Sequence, residues 1–551
     1  MYKRLVSLRT FNRFTHTMLK KIELTQQESR ICNLLRDYAA SYNSSLEQGT
    51  TPASSIEGVV PTEPLTLRVT GGWVRDKLLG QGSHDLDIAI NIMTGEQFAM
   101  GLNEYLVEHY ENYGITPHSI HRIEKNPEKS KHLETATTKL FDVEIDFVNL
   151  RSEQYTMDSR IPSTTFGTPQ QDALRRDATL NALFYNIQSG EIEDFTGHGL
   201  QDLSDGILRT PLPPKQTFLD DPLRALRLIR FAARFDFTID ENALNEMAQP
   251  EINRAFDAKI SKERVGNEME KILLGPNPNI GVHLIQKTKL DNVIFFWHND
   301  KEIVQLNKDN WPDYNTIMNI YTEGILNNHL FNFWNQRLAF LEKNPDLQVM
   351  VGIDPSFKQN YILGAALLPM ANYKVIAVKK KLNNTMSLPE AVIREGLKMS
   401  KSDGITVGKC VDAAAQYSKF VHSFIQDKSS LRRSELGLFI RTFDDNYNLA
   451  HYIAMINEYL NETNADLQDA IVEKYKTFHE YIVQQDLQDC HNLRPMIDGK
   501  KLQKILGIKG GPWMGRVNNE IIVWQLDNPT GTEEQLLAYV KEILPQYMDN
   551  K

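Results

Sequence analysis

The sequence predicts an α+β protein, with a small mixed-sheet head followed by an extended all-helical remainder. Two observations predict it. Between residues 65 and 205, short runs with period-two alternation recur at Leu65 to Thr70, Asp85 to Ile92 and Val143 to Leu150. After about Leu203 the apolar spacing turns helical and stays so to the end, with no self-similar repeat of fixed period. A chain of 551 residues allows roughly three to five domains or subdomains.

Taken in order, the first segment reads as an address. Before Glu23 there is no acidic residue, whereas Lys3, Arg4, Arg9, Arg13, Lys20 and Lys21 are basic, the composition of a mitochondrial presequence over residues 1–25. A start at Met18 would drop most of these cations, so one gene could supply the mitochondrion as well as the cytoplasm and nucleus. Gln26 to Tyr42 has Ile31, Leu34, Leu35 and Tyr38 at helical spacing. Ser41 to Pro64, rich in Ser, Thr, Gly and Pro, reads as a linker. Leu65 to Thr70 is a strand, Gly71-Gly72 a turn, and Trp73 to Leu79 the start of a helix. Asp85 to Ile92 is a second strand with Leu86, Ile88 and Ile90 on one face, and Val143 to Leu150 a third. Between them, Glu124 to Thr138 is polar and charged and reads as a loop carrying Lys129, Lys131 and His132. The expected layout is a head over 65–205 and helical segments over 206–290, 291–440 and 441–551, after the helix and linker of 26–64.

Composition sets bounds. Hydrophobic residues make up 41% of the chain, too much for disorder throughout. The longest charge-free apolar stretch, Tyr361 to Tyr373, contains Pro369 and falls short of the ~20 residues that span a bilayer, so no membrane association is expected. Cys32, Cys410 and Cys490 are too scattered for a disulfide framework or a zinc ligand set, which points to a reducing compartment. The net charge of −10 excludes a uniformly basic nucleic-acid binder but leaves room for a local basic face.

Three segments carry chemistry. Asp85-Leu86-Asp87 places two carboxylates on one face of a strand, with Leu86 turned the other way. Adjacent carboxylates repel unless a cation sits between them, and hard oxygen ligands suit Mg²⁺. A solvated strand face is the bland alternative. The glycine turn just upstream, whose backbone can approach phosphate closely, favours the cation. Asp146 on the third strand can add a carboxylate; Glu144 shares its face, and parity alone does not choose between them. Next, Leu174 to Leu183 reads as an otherwise apolar helix bearing Arg176, Asp177 and Asn181, the last two on one face. Arginine can fork onto phosphate, and Asp with Asn can hold a ribose hydroxyl. An ordinary polar pair at a helix N-terminus is the competing explanation.

The third segment is Asp220 to Phe231. Pro222 suits the first helical position and Asp221 the cap. Arg224, Arg227 and Arg230 recur every three residues as one stripe, while Leu223, Leu226 and Ile229 face the core. Without acidic partners in the same stretch the stripe repels itself, and a polyanionic ligand would relieve it. Asp221 beside Arg224 offers an acceptor next to donors. That matches the amine-and-ring-nitrogen edge of cytosine or adenine and mismatches uracil and guanine. Such a pair could accept CTP and ATP without a template.

These pieces resemble, in order, the class II tRNA nucleotidyltransferases, the CCA-adding enzymes of eukaryotic and fungal type within the tRNA nucleotidyltransferase and poly(A) polymerase family. The matching residues are Gly71-Gly72-Trp73-Val74-Arg75-Asp76, His84-Asp85-Leu86-Asp87, Ile145-Asp146-Phe147, Arg175-Arg176-Asp177 through Asn181-Ala182, Asp194-Phe195-Thr196-Gly197, Asp220 to Arg230, and Glu263-Arg264 through Lys271. They span about 70–271; Leu506 to Trp513 resembles the tail segment more loosely.

The resemblance implies a palm-like nucleotidyltransferase head followed by neck, body and tail, in a chain that acts as a monomer. It implies two Mg²⁺ ions on Asp85 and Asp87, with Asp146 as third carboxylate. Gly72 and Arg75 would contact the triphosphate. Arg176, Asp177 and Asn181 would hold phosphate and ribose. Asp221 and Arg224 would read the base, and Arg227 and Arg230 would steady the site. The substrates implied are CTP, ATP and the 3′ end and acceptor/T arm of tRNA. Asp220 departs from the Glu usual before the base-reading Asp. Lys259, Lys262, Arg264 and Lys271, and further on Lys500, Lys501 and Lys504, are candidate tRNA contacts. A poly(A) polymerase on the same head and an inactive RNA-binding protein are the alternative expectations.

Overall fold

The computed structural model describes residues 22–48, 63–82, 85–115, 121–123, 135–156, 159–295, 305–306, 355–376 and 385–548. The basic leader through position 21, His84, and Lys129, Lys131 and His132 lie outside the described residues.

Helix α1 (Gln26–Glu47) opens with a reciprocal cap in which Thr25 and Glu28 satisfy each other's backbone N–H. It buries Ile31, Leu34 and Leu35. It runs past the expected end at Tyr42 because Asn43 has a tertiary partner: its side chain accepts from the Leu65 N–H at 2.7 Å and donates to the Leu65 carbonyl at 3.1 Å. The linker reading of Ser41 to Glu47 is therefore corrected to helix.

A seven-stranded sheet follows. Its strands are β1 (Leu67–Thr70), β2 (Leu86–Ile90), β3 (His121–Ile123), β4 (Thr135–Leu140) and β5 (Val143–Asn149), then β8 (Leu183–Asn186) and β9 (Ile192–Asp194). The spatial order is β3-β4-β5-β2-β1-β8-β9. Every neighbouring pair is antiparallel except β2 with β5, which makes the sheet mixed. Thr135 to Thr138, expected as loop, belongs to β4 because its residues pair with β5. Leu67, Val69, Ile88, Ile90, Ile145 and Phe147 fill the sheet's core face. There α3 (Gly95–Glu108) packs Phe98 on Phe147, ring centroids 4.8 Å apart.

Between β1 and β2 lies α2 (Gly72–Leu78). The hairpin of β6 (Arg151–Thr156) and β7 (Ser159–Phe166) forms a separate two-stranded ribbon. The helices that follow α3 up to Ile294 are, among the described residues and besides the short turn after α5, α4 (Tyr110–Tyr113), α5 (Pro169–Leu174), α6 (Gly199–Asp205), α7 (Pro214–Asp220), α8 (Leu223–Phe235), α9 (Glu241–Met247), α10 (Pro250–Lys259), α11 (Lys262–Leu273), α12 (Pro278–Lys287) and α13 (Asp291–Ile294).

The helix expected over Leu174 to Leu183 is not one helix. α5 ends at Leu174, Ala178 is extended (φ −142°, ψ 145°), and a single 3-10 turn covers Thr179–Asn181. The charged pair Arg175-Arg176 explains the break, since both guanidiniums bend back to Asp172.

The chain forms two compact units, Met1–Ile294 and Phe295–Lys551. The second is helical in most of its described residues, with long helices at Lys401–Gln426, Tyr447–Asn461 and Ala465–Gln484. Its interior holds a buried polar group: Tyr417 meets His451 at 3.1 Å, and Ser418 meets Tyr475 at 2.7 Å. Among the described residues no helix is long and apolar enough to cross a membrane.

Candidate active site

The site starts from strand pairing. In the parallel pair β2–β5, Asp87 stands opposite Asp146, and Ile88 opposite Phe147. Alternation buries Leu86 and Ile88 on one side and leaves Asp87 half-buried on the other. Asp85, exposed, precedes the strand with the same parity. Asp146 is fixed by Thr137 on β4, whose hydroxyl donates to Oδ1 at 2.5 Å. Glu144, left open by parity, is exposed at the start of β5 and pairs in register with Lys139 of β4. The carboxylate facing Asp87 is therefore Asp146.

Burial, with Asp146 and Asp85 close by, pushes the Asp87 carboxyl up to about 6 against the lowering pull of Arg176. Among the described residues no three His, Cys, Asp or Glu side chains close into a ready metal cage. Mg²⁺ fits such a place, since it commonly takes one or two carboxylates and completes its shell with water and substrate phosphates.

The glycine turn lies against these carboxylates. Gly71 has φ +78°, and a Cβ there would come 3.4 Å from Asp87 Oδ2. A Cβ on Gly72 would come 2.9 Å from Arg75 Nη2. Arg75 is buried: it is held by Asp76 at 2.8 Å and by Asn181, and lies 4.8 Å from the Phe235 ring centroid. Its guanidinium thus braces Asn181 beside the glycine turn.

From Asp87 a chain of charges leads away. Arg176 donates to Thr70, the β1 partner of Asp87, at 2.8 Å, and to Asp172 at 2.8 Å. Asp177 accepts from Asn181 at 2.9 Å and from Arg227 at 2.7 Å. Burial opposes ionisation of Asp177, but Arg227 and Asn181 outweigh it and hold the carboxyl well below the usual range. Asp177 and Asn181 meet as expected, though through a tight turn.

The arginine stripe of α8 needs correction. Each of its three arginines has an acidic partner from another element. Arg224 lies 3.7 Å from Glu153 of β6, Arg227 pairs with Asp177 at 2.7 Å, and Arg230 pairs with Glu268 of α11 at 2.5 Å. The stripe therefore does not call for a polyanion on grounds of self-repulsion. Pro222, expected as the first helical residue, is instead the N-cap of α8, with no side-chain cap; Asp221 just before it accepts from the Leu223 N–H at 3.2 Å, and its other oxygen faces Arg264 at 3.5 Å. Arg224 instead donates to Tyr155 Oη at 3.0 Å, and Tyr155 in turn donates to Glu153 at 2.7 Å. Asp221 and Arg224 are neighbours along the chain but are aimed by different supports.

Several of these supports were missed in the sequence: Thr70, Thr137, Glu153, Tyr155, Asp172 and Glu268. Asp172 carried a readable signal, lying three and four residues before Arg175 and Arg176. Glu153 and Tyr155 carried none, because their role depends on how the β6–β7 hairpin meets α8. Of the candidate RNA-binding cations, Lys259 and Lys262 donate to backbone carbonyls, and Lys501 pairs with Glu533. Lys271, Lys500 and Lys504 are exposed.

The family described as "Poly A polymerase head domain" matches residues 67–209, and "Probable RNA and SrmB- binding site of polymerase A" matches 236–298. The mitochondrial CCA tRNA nucleotidyltransferase of Candida glabrata is 56% identical over 535 residues, covering 97% of this chain and 98% of its own. The chain belongs to the CCA tRNA nucleotidyltransferase family. The Saccharomyces cerevisiae mitochondrial member is 55% identical over 96% of this chain and 95% of its own. The solved fold of a CCA-adding enzyme in an apo form aligns with a TM-score of 0.57 at 20% identity, over 94% of this chain and 96% of that one. For this family member the fold class is thus α+β, a mixed-sheet head with a mostly helical remainder, and the chain is an enzyme of nucleotidyl transfer.

Proposed function

We propose that the chain adds C, C and A in turn to the 3′ end of tRNA, from CTP and ATP, without a template. The observation that carries this reading is the pairing of Asp87 with Asp146, from which Arg176, Asp177 and Arg227 lead toward α8 and Asp221. The family's named members act on tRNA and CCA, which supports the substrate class.

In this reading Asp85 and Asp87 would hold two Mg²⁺ ions, with Asp146 as the third carboxylate beside them. Bound there, the ions would supply a lowered pKa for the attacking hydroxyl and charge stabilisation for the leaving oxygens. The rest falls to the chain. The Gly71–Gly72 turn lets backbone approach the triphosphate, and Arg176 faces phosphate from the Asp87 side. Asp177 and Asn181 accept the ribose, with Arg75 and Arg227 fixing them. Asp221 and Arg224 select the amine-bearing edge, and Arg227 and Arg230 steady them through Asp177 and Glu268. The tRNA 3′-hydroxyl then attacks the α-phosphate and pyrophosphate leaves.

We further assign residues 65–205 to the head, 206–290 to the neck, 291–440 to the body and 441–551 to a tRNA-binding tail, in a chain that acts as a monomer. We place it in the mitochondrion, with a cytoplasmic and nuclear pool from Met18.

One incubation tests the function: tRNA trimmed of its terminal residues, CTP, ATP and Mg²⁺, with product length read on a gel. Growth by C, C and A that then stops is expected. Continued adenylate addition without CTP incorporation would make it a poly(A) polymerase, and no extension a binding protein. Asp85→Ala should abolish transfer while leaving tRNA binding largely intact. Asp221→Ala should admit UTP and GTP.

A further inference from the structure

α1 lies outside both matched family segments, yet it grips the strand that leads into the site. At one flank of β1, Asn43 holds both backbone groups of Leu65. At the other flank stands Glu28, itself buried. Its carboxylate accepts from the Trp73 indole N–H at 3.0 Å, from Lys77 Nζ at 2.6 Å and from the Thr25 N–H at 2.7 Å. Trp73 follows Gly71-Gly72 directly and is 2% exposed. α2 begins at that turn with no side-chain cap, so the contacts of Trp73 and Lys77 do much to fix where it starts. The turn itself sits against Asp87 Oδ2.

We infer that α1 is part of the catalytic unit, and that Glu28 is a positioning residue that fixes the Gly71–Gly72 turn against Asp87 through Trp73 and Lys77. Glu28 touches no substrate in this arrangement; it acts through α2. The inference rests on the role proposed above for Asp87.

The test uses the full chain and two readouts. Glu28→Gln removes the charge facing Lys77 while leaving an acceptor for Trp73, and Trp73→Phe removes only the indole N–H. Hydrogen exchange of the amides in residues 71–79 is measured on protein free of metal and nucleotide. kcat and tRNA Kd are measured on the complete reaction. Glu28→Gln should speed that exchange and lower kcat, each about tenfold, with tRNA Kd within about twofold of the parent. Trp73→Phe should shift both in the same direction by a smaller factor, and it stands as the deciding variant if Glu28→Gln does not fold. Exchange and kcat that stay within about twofold of the parent would overturn the inference, as would a lowered Tm with unchanged kcat per folded molecule. Asp87→Ala is run alongside. If it retains transfer, the reading of the site fails; if it is inactive while Glu28→Gln behaves as the parent, only the role of Glu28 fails.

Discussion

Asp87 and Asp146 stand directly opposite each other on the one parallel strand pair of the head sheet, and the Asp87 carboxyl is pushed up to about 6 as a result of burial and that neighbour. A carboxylate raised in the folded state costs stability once it ionises. The cost is full above the folded value and vanishes below the ordinary value of 3.8. Asp87→Asn should therefore stabilise the metal-free protein at pH 7.5, by roughly 1–3 kcal/mol. The gain should shrink as pH falls from 6 toward 4. Thermal melts across that range check it. The same variant should lose nucleotide transfer.

Gly71 occupies a backbone region that a side chain enters at a cost of about 1–3 kcal/mol. Gly71→Ala should lower Tm through this backbone strain and shift the turn that touches Asp87. Its transfer rate, measured at a temperature where the variant is fully folded, should fall at least tenfold.

Asp177 ties Asn181 to Arg227 across two elements. Asp177→Ala leaves a guanidinium without its partner and should cost about 2 kcal/mol by urea melts. It should also raise the KM for both nucleotides. A variant with normal KM would remove the pair from the ribose site.

Tyr155 links Glu153 to Arg224 through its hydroxyl. Tyr155→Phe should leave Arg224 less firmly aimed and raise UTP misincorporation several-fold, with a stability change of about 1 kcal/mol or less. Single-nucleotide incorporation assays measure the first effect.

The second unit should be acid-sensitive. Burial holds His451 well below its usual range, with His479 adding to the effect, and burial lowers His479 to about 4. Histidines kept neutral by the fold contribute stability that is present at pH 7 and is lost as pH drops from about 6.5 toward 4. His479→Phe should flatten that dependence, removing on the order of 1–2 kcal/mol of the loss between pH 7 and 5.

Much of the head was legible because its rules are local. Alternation found β1, β2 and β5 to within two residues at each end, and parity placed Asp85 and Asp87 on one face. Parity could not choose Asp146 over Glu144, because that depends on which residue of β5 stands across from Asp87. The periodicity around Arg176 misled, since an apolar run beside polar residues looks helical whether or not its arginines fold back on Asp172. The stripe on α8 was read correctly as a stripe and wrongly as unpaired. Glu153, Asp177 and Glu268 lie 71, 50 and 38 residues from Arg224, Arg227 and Arg230, a separation no local pattern reports.

Because β2 and β5 run in the same direction, the chain that leaves Ile90 has to travel back along the sheet before it re-enters at Val143. That excursion carries α3 and the β3–β4 edge. Register between Asp87 and Asp146 is set by the two strands themselves, but β4, on which the detour ends, supplies the Thr137 hydroxyl that holds Asp146. The excursion is thus part of the site: whatever its length, it must deliver Thr137 to the same place beside β5.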